Sequence, residues 1–338
     1  WAFLLFLFLY CAVLPARAQT DLGQFLDAEE VRDAEKLSEA YVLPFVKALG
    51  FGLANGWYNT AKPHKPWGFD LTTTVNMVHV PEKDFFYSVA DLQLETVGLS
   101  PESSPLLPDG QAPTMFGDNI NPTFRNTTTG LDFNGPQGLD LEEEIGVQFV
   151  PIPMVQLGLG VVKGTDVKVR FVPNIMVDDL EFRMLGFGVQ HSLKQWIPGL
   201  KRLPIELSGF IGFTDISVEV DVSDEDLPNS IDQRGVFNIN SFTLQGMVSR
   251  KFSALTLYGG LGMNNVSSSL KLKGQYDLND NGDFSDPGET DPIGLNFNAG
   301  SVRLTTGMML KLAVFTFHAD YTFQKYGVLS AGFGISVR

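Results

Sequence analysis

From Ala313 to Phe323 the chain alternates without a break. Ala313, Phe315, Phe317, Ala319, Tyr321 and Phe323 are apolar, and Thr316, His318, Asp320 and Thr322 between them are polar. Successive side chains of a β-strand point to opposite faces, so this period predicts a strand with one oily and one wet face. The pattern repeats along the chain. Phe69, Leu71, Thr73, Val75 and Met77 oppose Asp70, Thr72, Thr74 and Asn76, and Pro81 to Asp84 reads as a turn before a return strand, Phe85 to Leu94. Alternation resumes at Ile145 and continues through Val155 to Val161, Val167 to Phe171, Phe182 to Leu193, Ile205 to Val220, Ser241 to Ser249 and Leu255 to Leu261. It closes with Ser301 to Lys311, the Ala313 strand and Leu329 to Val337.

An apolar face this regular is poorly solvated in water, and a polar face carrying Arg303, Lys311 and Asp320 is costly in lipid. A closed barrel satisfies both and leaves no unpaired edge. The pattern therefore predicts an all-β fold: an antiparallel transmembrane β-barrel of about twelve strands, with ten to fourteen allowed. Link lengths agree. Short links at Lys251 to Ser253 and Lys311 to Leu312 alternate with long polar ones at Asp221 to Phe237 and Tyr276 to Phe297.

Two stretches break the period. Asp21 to Ala48 carries Leu22, Phe25, Leu26, Val31, Leu37 and Tyr41 at helical spacing, with Pro44 expected to kink or restart the helix. The glycine-rich passage Leu49 to Gly56 follows, read either as a loop for close backbone packing or as part of a short plug in a barrel mouth. Gly98 to Gly138 is rich in Pro, Gly, Asn and Asp and reads as a long irregular loop, one that could hide a strand or fold as a lid or plug.

Ahead of these lies Ala2 to Leu14, an apolar run broken by Pro15 and followed by Ala16-Arg17-Ala18, the form of a secretory signal peptide with its cleavage site. The chain starts at Trp1 without a basic region, so this reading expects residues before it. The predicted division is 1–18 signal peptide, 19–66 helical plug segment and 67–338 outer-membrane barrel, with lipid bilayer as the first partner.

Composition narrows the chemistry. Among 338 residues the net charge is -15, which opposes nucleic-acid binding. The sole cysteine, Cys11, lies in the leader, so a mature chain has no disulfide or thiol nucleophile. One stretch invites a metal. Asp277, Asn279, Asn281, Asp283, Asp286 and Glu289 set hard oxygen donors around Gly282, following the logic of an EF-hand loop, although Glu289 comes one residue late. The expectation is a structural Ca²⁺ clip in an outer loop; the alternative is a solvated acidic turn. His64, His79, His191 and His318 have no partners at metal spacing, and His318 is expected to line the lumen. Glu142 to Glu144 reads as a solvated charge run. Trp196 beside Lys201 and Arg202 suits a turn at headgroup level. No motif of a hydrolase, metalloprotease or phosphate loop is present, and no enzyme is predicted.

Two passages, Gly186 to Pro204 and Gly56-Trp-Tyr-Asn-Thr-Ala-Lys-Pro-His64, resemble those of uncharacterised outer-membrane barrel proteins of Bacteroidota. A helical piece ahead of a barrel is also similar to the long-chain fatty-acid transporter family, whose N-terminus plugs the lumen. That second resemblance implies passive uptake of a small hydrophobic molecule. The alternative is a non-transporting barrel with a structural, adhesive or secretion-accessory role.

Overall fold

A computed structural model describes residues 31–103, 105, 107–141, 149–162, 164–177, 180–221, 231–275, 283–284, 289–291 and 293–337. The predicted leader lies outside these residues, as does Glu142 to Glu144.

The wall is a closed antiparallel barrel of ten strands rather than twelve. In chain order they are β1 (Phe69–His79), β7 (Phe149–Val162), β8 (Thr165–Val177), β9 (Leu180–Ser192), β10 (Glu206–Asp221), β11 (Ile231–Phe252), β12 (Leu255–Gln275), β13 (Ile293–Leu312), β14 (Phe315–Phe323) and β15 (Val328–Val337). Each neighbour in sequence pairs with the next, and β1 closes the ring by pairing with both β15 and β7. The two surplus strands of the sequence reading belong to the excursion between β1 and β7. Its ordered pieces are β2 (Phe86–Ser88), β3 (Val97–Leu99), β4 (Gln111–Pro113), β5 (Thr123–Asn126) and β6 (Asp132–Asn134). They form a two-stranded and a three-stranded sheet apart from the wall. Phe85 to Leu94 thus holds one short strand and a 3-10 turn at Ala90–Leu92, not a wall strand. We call this excursion the cap.

The two rims differ. At one, which we call the turn rim, the links 163–164, 253–254 and 313–314 are two residues long, and β1 starts and β15 ends there. Ser253 and Ala313 sit at φ 54° and 55°, the left-handed geometry that tight hairpins require even without glycine. The Ala313 strand therefore begins at Phe315, and its link is 313–314 rather than Lys311 to Leu312. At the opposite rim stands the cap. Long links 222–230 and 276–292 lie there too, but so do the short links 178–179 and 324–327, so length alone does not separate the rims.

The alternation changes sign partway along the longer strands. On β11, Phe242, Leu244 and Val248 are exposed, whereas Phe237 and Ile239, of opposite parity, are buried. On β12 the exposed set is Leu257, Leu261 and Met263 and the buried set Val266, Leu270 and Leu272. β13 and β10 switch in the same way, from Val302, Leu304, Met308 and Leu310 to Ile293, Leu295 and Phe297, and from Ile211 and Phe213 to Ile216, Val218 and Val220. The switch points are in register, Asp215 against Asn240, Asn240 against Ser267, and Ser267 against Asn298. Toward the turn rim the outside is apolar and the lumen polar; toward the cap rim the lumen is apolar and the outside polar. The outer belt from Phe242 to Phe252, at ~3.4 Å per residue and a tilt of about 45°, stands about 25 Å tall, the height of a bilayer core. Phe187, Phe213 and Phe242 stand side by side toward its cap edge, and Phe69, Phe252 and Phe315 lie exposed at its turn edge.

The apolar half of the lumen is filled by α1 (Val31–Leu53). Leu37, Tyr41, Phe45, Val46 and Phe51 join the inward residues of the wall and Val97, Ala112, Met115, Phe116 and Phe124 of the cap in one core. Pro44 does not restart the helix, which runs through it. Nor is Leu49 to Leu53 a loop: it is the last turn of α1. Gly50 and Gly52 lie on the faces where a side chain would strike Val266 and Ile152 of the wall. Close backbone approach, one of the two readings of this passage, is what these glycines serve.

Candidate functional site

After Leu53 the chain leaves the helix and descends through the polar half of the lumen to β1. Wall side chains hold its carbonyls along most of that path. Ser241 Oγ donates to Gly50 O at 3.1 Å and Asn76 Nδ2 to Gly52 O at 2.9 Å. Arg170 donates from both terminal nitrogens, to Leu53 O at 2.8 Å and to Asn55 O at 2.6 Å. Arg303 donates to Ala54 O at 2.7 Å and to the side-chain oxygen of Asn55. Below, Gln156 reaches Trp57 O at 3.1 Å, Gln190 reaches Thr60 O at 3.0 Å and Ser208 reaches Ala61 O.

Two guanidinium groups therefore meet the end of α1, where the helix runs out of backbone donors and its dipole is negative. Both arginines are buried. A buried cation is costly unless hydrogen-bonded, and the fork of Arg170 spans the last carbonyl of the helix, Leu53 O, and Asn55 O just past it. Its Cζ also lies 3.6 Å from the ring centroid of Trp57. The indole rests on glycine. A Cβ at Gly188 or Gly212 would come within 3.0 Å of the Trp57 ring, and one at Gly186 within 3.2 Å. The two passages singled out in the sequence, Gly56 to His64 and Gly186 to Pro204, are thus in contact.

At the turn rim His64 fastens the same segment. Its backbone N–H donates to Asp166 Oδ1 at 2.8 Å, its Nδ1 lies 2.8 Å from Asp166 Oδ2, and its Nε2 lies 3.3 Å from Ser336 Oγ. Asp70 Oδ1 is 3.6 Å from Nε2. Asp166, His64 and Ser336 follow the order of a hydrolase triad. Yet Ser336 is only 5 % exposed and its Oγ also receives Lys311 Nζ at 3.2 Å. Asp166 grips both the ring and the backbone of residue 64, so the set works as a latch. Nothing in it is evidence of catalysis. No local pattern announces it, because Asp166 and Ser336 lie 102 and 272 residues from His64.

His318 lines the lumen as expected, buried and 3.2 Å from Thr74 Oγ1. Tyr258 donates to Asp320 at 2.8 Å beside it. Of the six expected calcium ligands, Asp277, Asn279, Asn281 and Asp286 lie outside the described residues. Asp283 and Glu289 are described, and Glu289 is buried. Among the described residues no cluster of three or more His, Cys, Asp or Glu could hold a metal. No helix among them is long and apolar enough to cross a membrane. One open groove of about 380 Å³ separates α1 from the cap, lined in part by Leu43, Pro44, Lys47, Phe86, Tyr87 and Leu92. Burial holds Lys47 below the usual lysine range and pushes the Tyr87 phenol upward.

A family model described as "Family of unknown function (DUF6588)" matches residues 1–337. No curated protein matches. Among solved structures, the chain is similar to Ail, the attachment invasion locus protein of Yersinia pestis, at 9% identity over 80% of this chain and 99% of that one, with a TM-score of 0.26. It is similar to the translocator domain of the autotransporter NalP of Neisseria meningitidis at 10% identity, 81% and 90% coverage and a TM-score of 0.31. For the outer membrane protease OmpT of Escherichia coli the values are 8%, 80% and 95%, and 0.31. At such scores the placement of the chain rests on its own geometry: a closed wall, an outer apolar belt about 25 Å tall, and a lumen that is polar behind that belt.

Proposed function

We propose that this chain, which belongs to that family of unknown function, is an outer-membrane barrel whose lumen is sealed by its own N-terminal segment and whose role is to hold a structured cap above the bilayer. The observation that carries this is the set of wall side chains that hold plug carbonyls between Gly50 and Ala61. A polar segment that has to leave would forfeit all of these bonds, each worth about 1 kcal/mol net and more where charged. The function is accordingly structural or adhesive at the surface, not passage. The test is conductance across a planar bilayer holding the purified chain. Silence at ±100 mV, an applied setting on the order of a resting potential, is the expected result. A steady ohmic current overturns the sealed reading.

The second reading is passive uptake of a small hydrophobic molecule, and the groove between α1 and the cap favours it, with Leu43, Phe86 and Leu92 along its side. Uptake of such a molecule into proteoliposomes no faster than into protein-free liposomes removes this reading.

The calcium clip over Asp277, Asn279, Asn281, Asp283, Asp286 and Glu289 remains a proposal supported by the spacing of its donors. Chelator is expected to lower the melting temperature of the wild-type chain and to leave Asp277→Ala unaffected. Equal melting with and without chelator in both sinks it.

A further inference from the structure

At the cap edge of the belt the outward residues Asp215, Ser217, Asn238, Asn240, Ser267 and Asn298 are neutral or acidic, although exposed Arg183 stands across from Ser217 and exposed Lys271 lies just above. At the turn edge exposed cations gather without acids among them. Arg250 points outward two positions below Val248, with its guanidinium 4.8 Å from the Phe252 ring. Lys251 beside it is exposed, and so are Lys201 and Arg202 in the 3-10 turn Pro198–Arg202. These come together because Ser249 pairs with Glu206, which places the end of β11 against the 193–205 link. Across the rim Lys62 and Lys65 are also exposed. Among the described residues there, Asp70 and Asp166 are buried and Glu206 lies 3.6 Å from Lys194, so the exposed cations face no exposed acid of their own. Trp67 and Trp196, 84% and 71% exposed, stand among them with Ile197 and Leu203.

A chain of net charge -15 that gathers exposed lysine and arginine at one edge of an oily belt, with two exposed indoles, has the chemistry of a headgroup surface. We propose that the turn rim docks anionic phospholipid headgroups, and that this fixes the turn rim toward the leaflet richer in them. Charge complementarity selects the occupant, and continuity with the apolar belt selects a lipid over a free anion. The proposal rests on the barrel reading above.

The test uses quenching of tryptophan fluorescence by brominated lipid in vesicles holding the full chain, since Trp67 and Trp196 report on the rim itself. Brominated phosphatidylglycerol is expected to associate about threefold more strongly than brominated phosphatidylcholine, with the preference shrinking as salt rises. Lys201→Gln, Arg202→Gln, Arg250→Gln and Lys251→Gln combined should abolish the preference while heat-modifiable migration on gels stays unchanged. Equal quenching by both lipids in the wild type overturns the proposal, as does a preference that survives the four changes. Loss of the preference on adding inorganic phosphate at constant ionic strength also overturns it, in favour of a free-anion site. Quenching by neither lipid sinks the barrel reading instead.

Discussion

Arg170 shows how much one residue can join. It closes the last carbonyl of α1 and that of Asn55 just past it, lies over Trp57, and pairs across the ladder with Gly186, one of the glycines on which that indole rests. Lysine in its place keeps the charge but cannot fork, so Arg170→Lys should lower stability by about 2–3 kcal/mol in urea unfolding from detergent micelles. Gly188→Val should cost about 1–3 kcal/mol by overpacking the indole. Because both act through Trp57, the double change should cost less than the sum. Full additivity would mean that the ring is not shared. A second residue-scale effect concerns pH. The hydrogen bonds from Arg125, at 2.5 and 2.8 Å, hold the Asp132 carboxyl below the usual carboxylate range. Its pKa is then lower folded than unfolded, so the stabilisation is present above the unfolded value of about 4 and is lost as pH falls through the folded one. Amide exchange over Thr123–Asn134 should therefore accelerate only below that range. A rise near neutrality would contradict it.

Among the elements, strands were legible and the plug only half so. The wall strands advertise themselves because two different solvents act on their two faces, and Phe315 to Phe323 keeps that record at every position. Where the sequence misled, a local rule met a tertiary contact. Pro44 would end an isolated helix, but Tyr41 and Phe45 on either side of it are sunk in the core. Ala40 and Pro44 both line the open groove, where water can serve the carbonyl that proline leaves without a donor. Phe85 to Leu94 looks like a strand by composition, yet it belongs to the cap, where Phe86–Ser88 pairs with Gln111–Pro113 rather than with a wall strand. The latch of His64, Asp166 and Ser336 could not have been read at all, since no local pattern joins residues so distant in sequence. At this scale, Asp166→Asn should free the 60–66 segment without unfolding the wall. Limited proteolysis should then cut there while heat-modifiable migration persists; simultaneous loss of both would show that the latch supports the wall as well.

At the scale of the whole molecule, the reversal of parity divides the chain into a part that meets lipid and a part that meets water. The reversal was present in the sequence, as the odd-numbered Phe237 and Ile239 against the even-numbered Phe242 and Leu244 on one strand. It becomes readable only once the register shows that neighbouring strands reverse at the same level. With no cysteine after Cys11, single labels are easily placed. Spin labels at Leu244 and Val248 should be relaxed by oxygen dissolved in lipid, and labels at Asn238 and Asn240 by aqueous nickel complexes. A lipid signal at Asn238 would mean that the bilayer covers the whole wall.

The helix begins beside the cap, where Asp33 accepts from the backbone of Glu95, Thr96 and Val97, and its chain emerges at the opposite rim to become β1. That strand is also the seam, zipped to β15 on one side and β7 on the other. The stopper is therefore leashed to the strand that shuts the tube, and it can be slid within the sleeve but never lost from it.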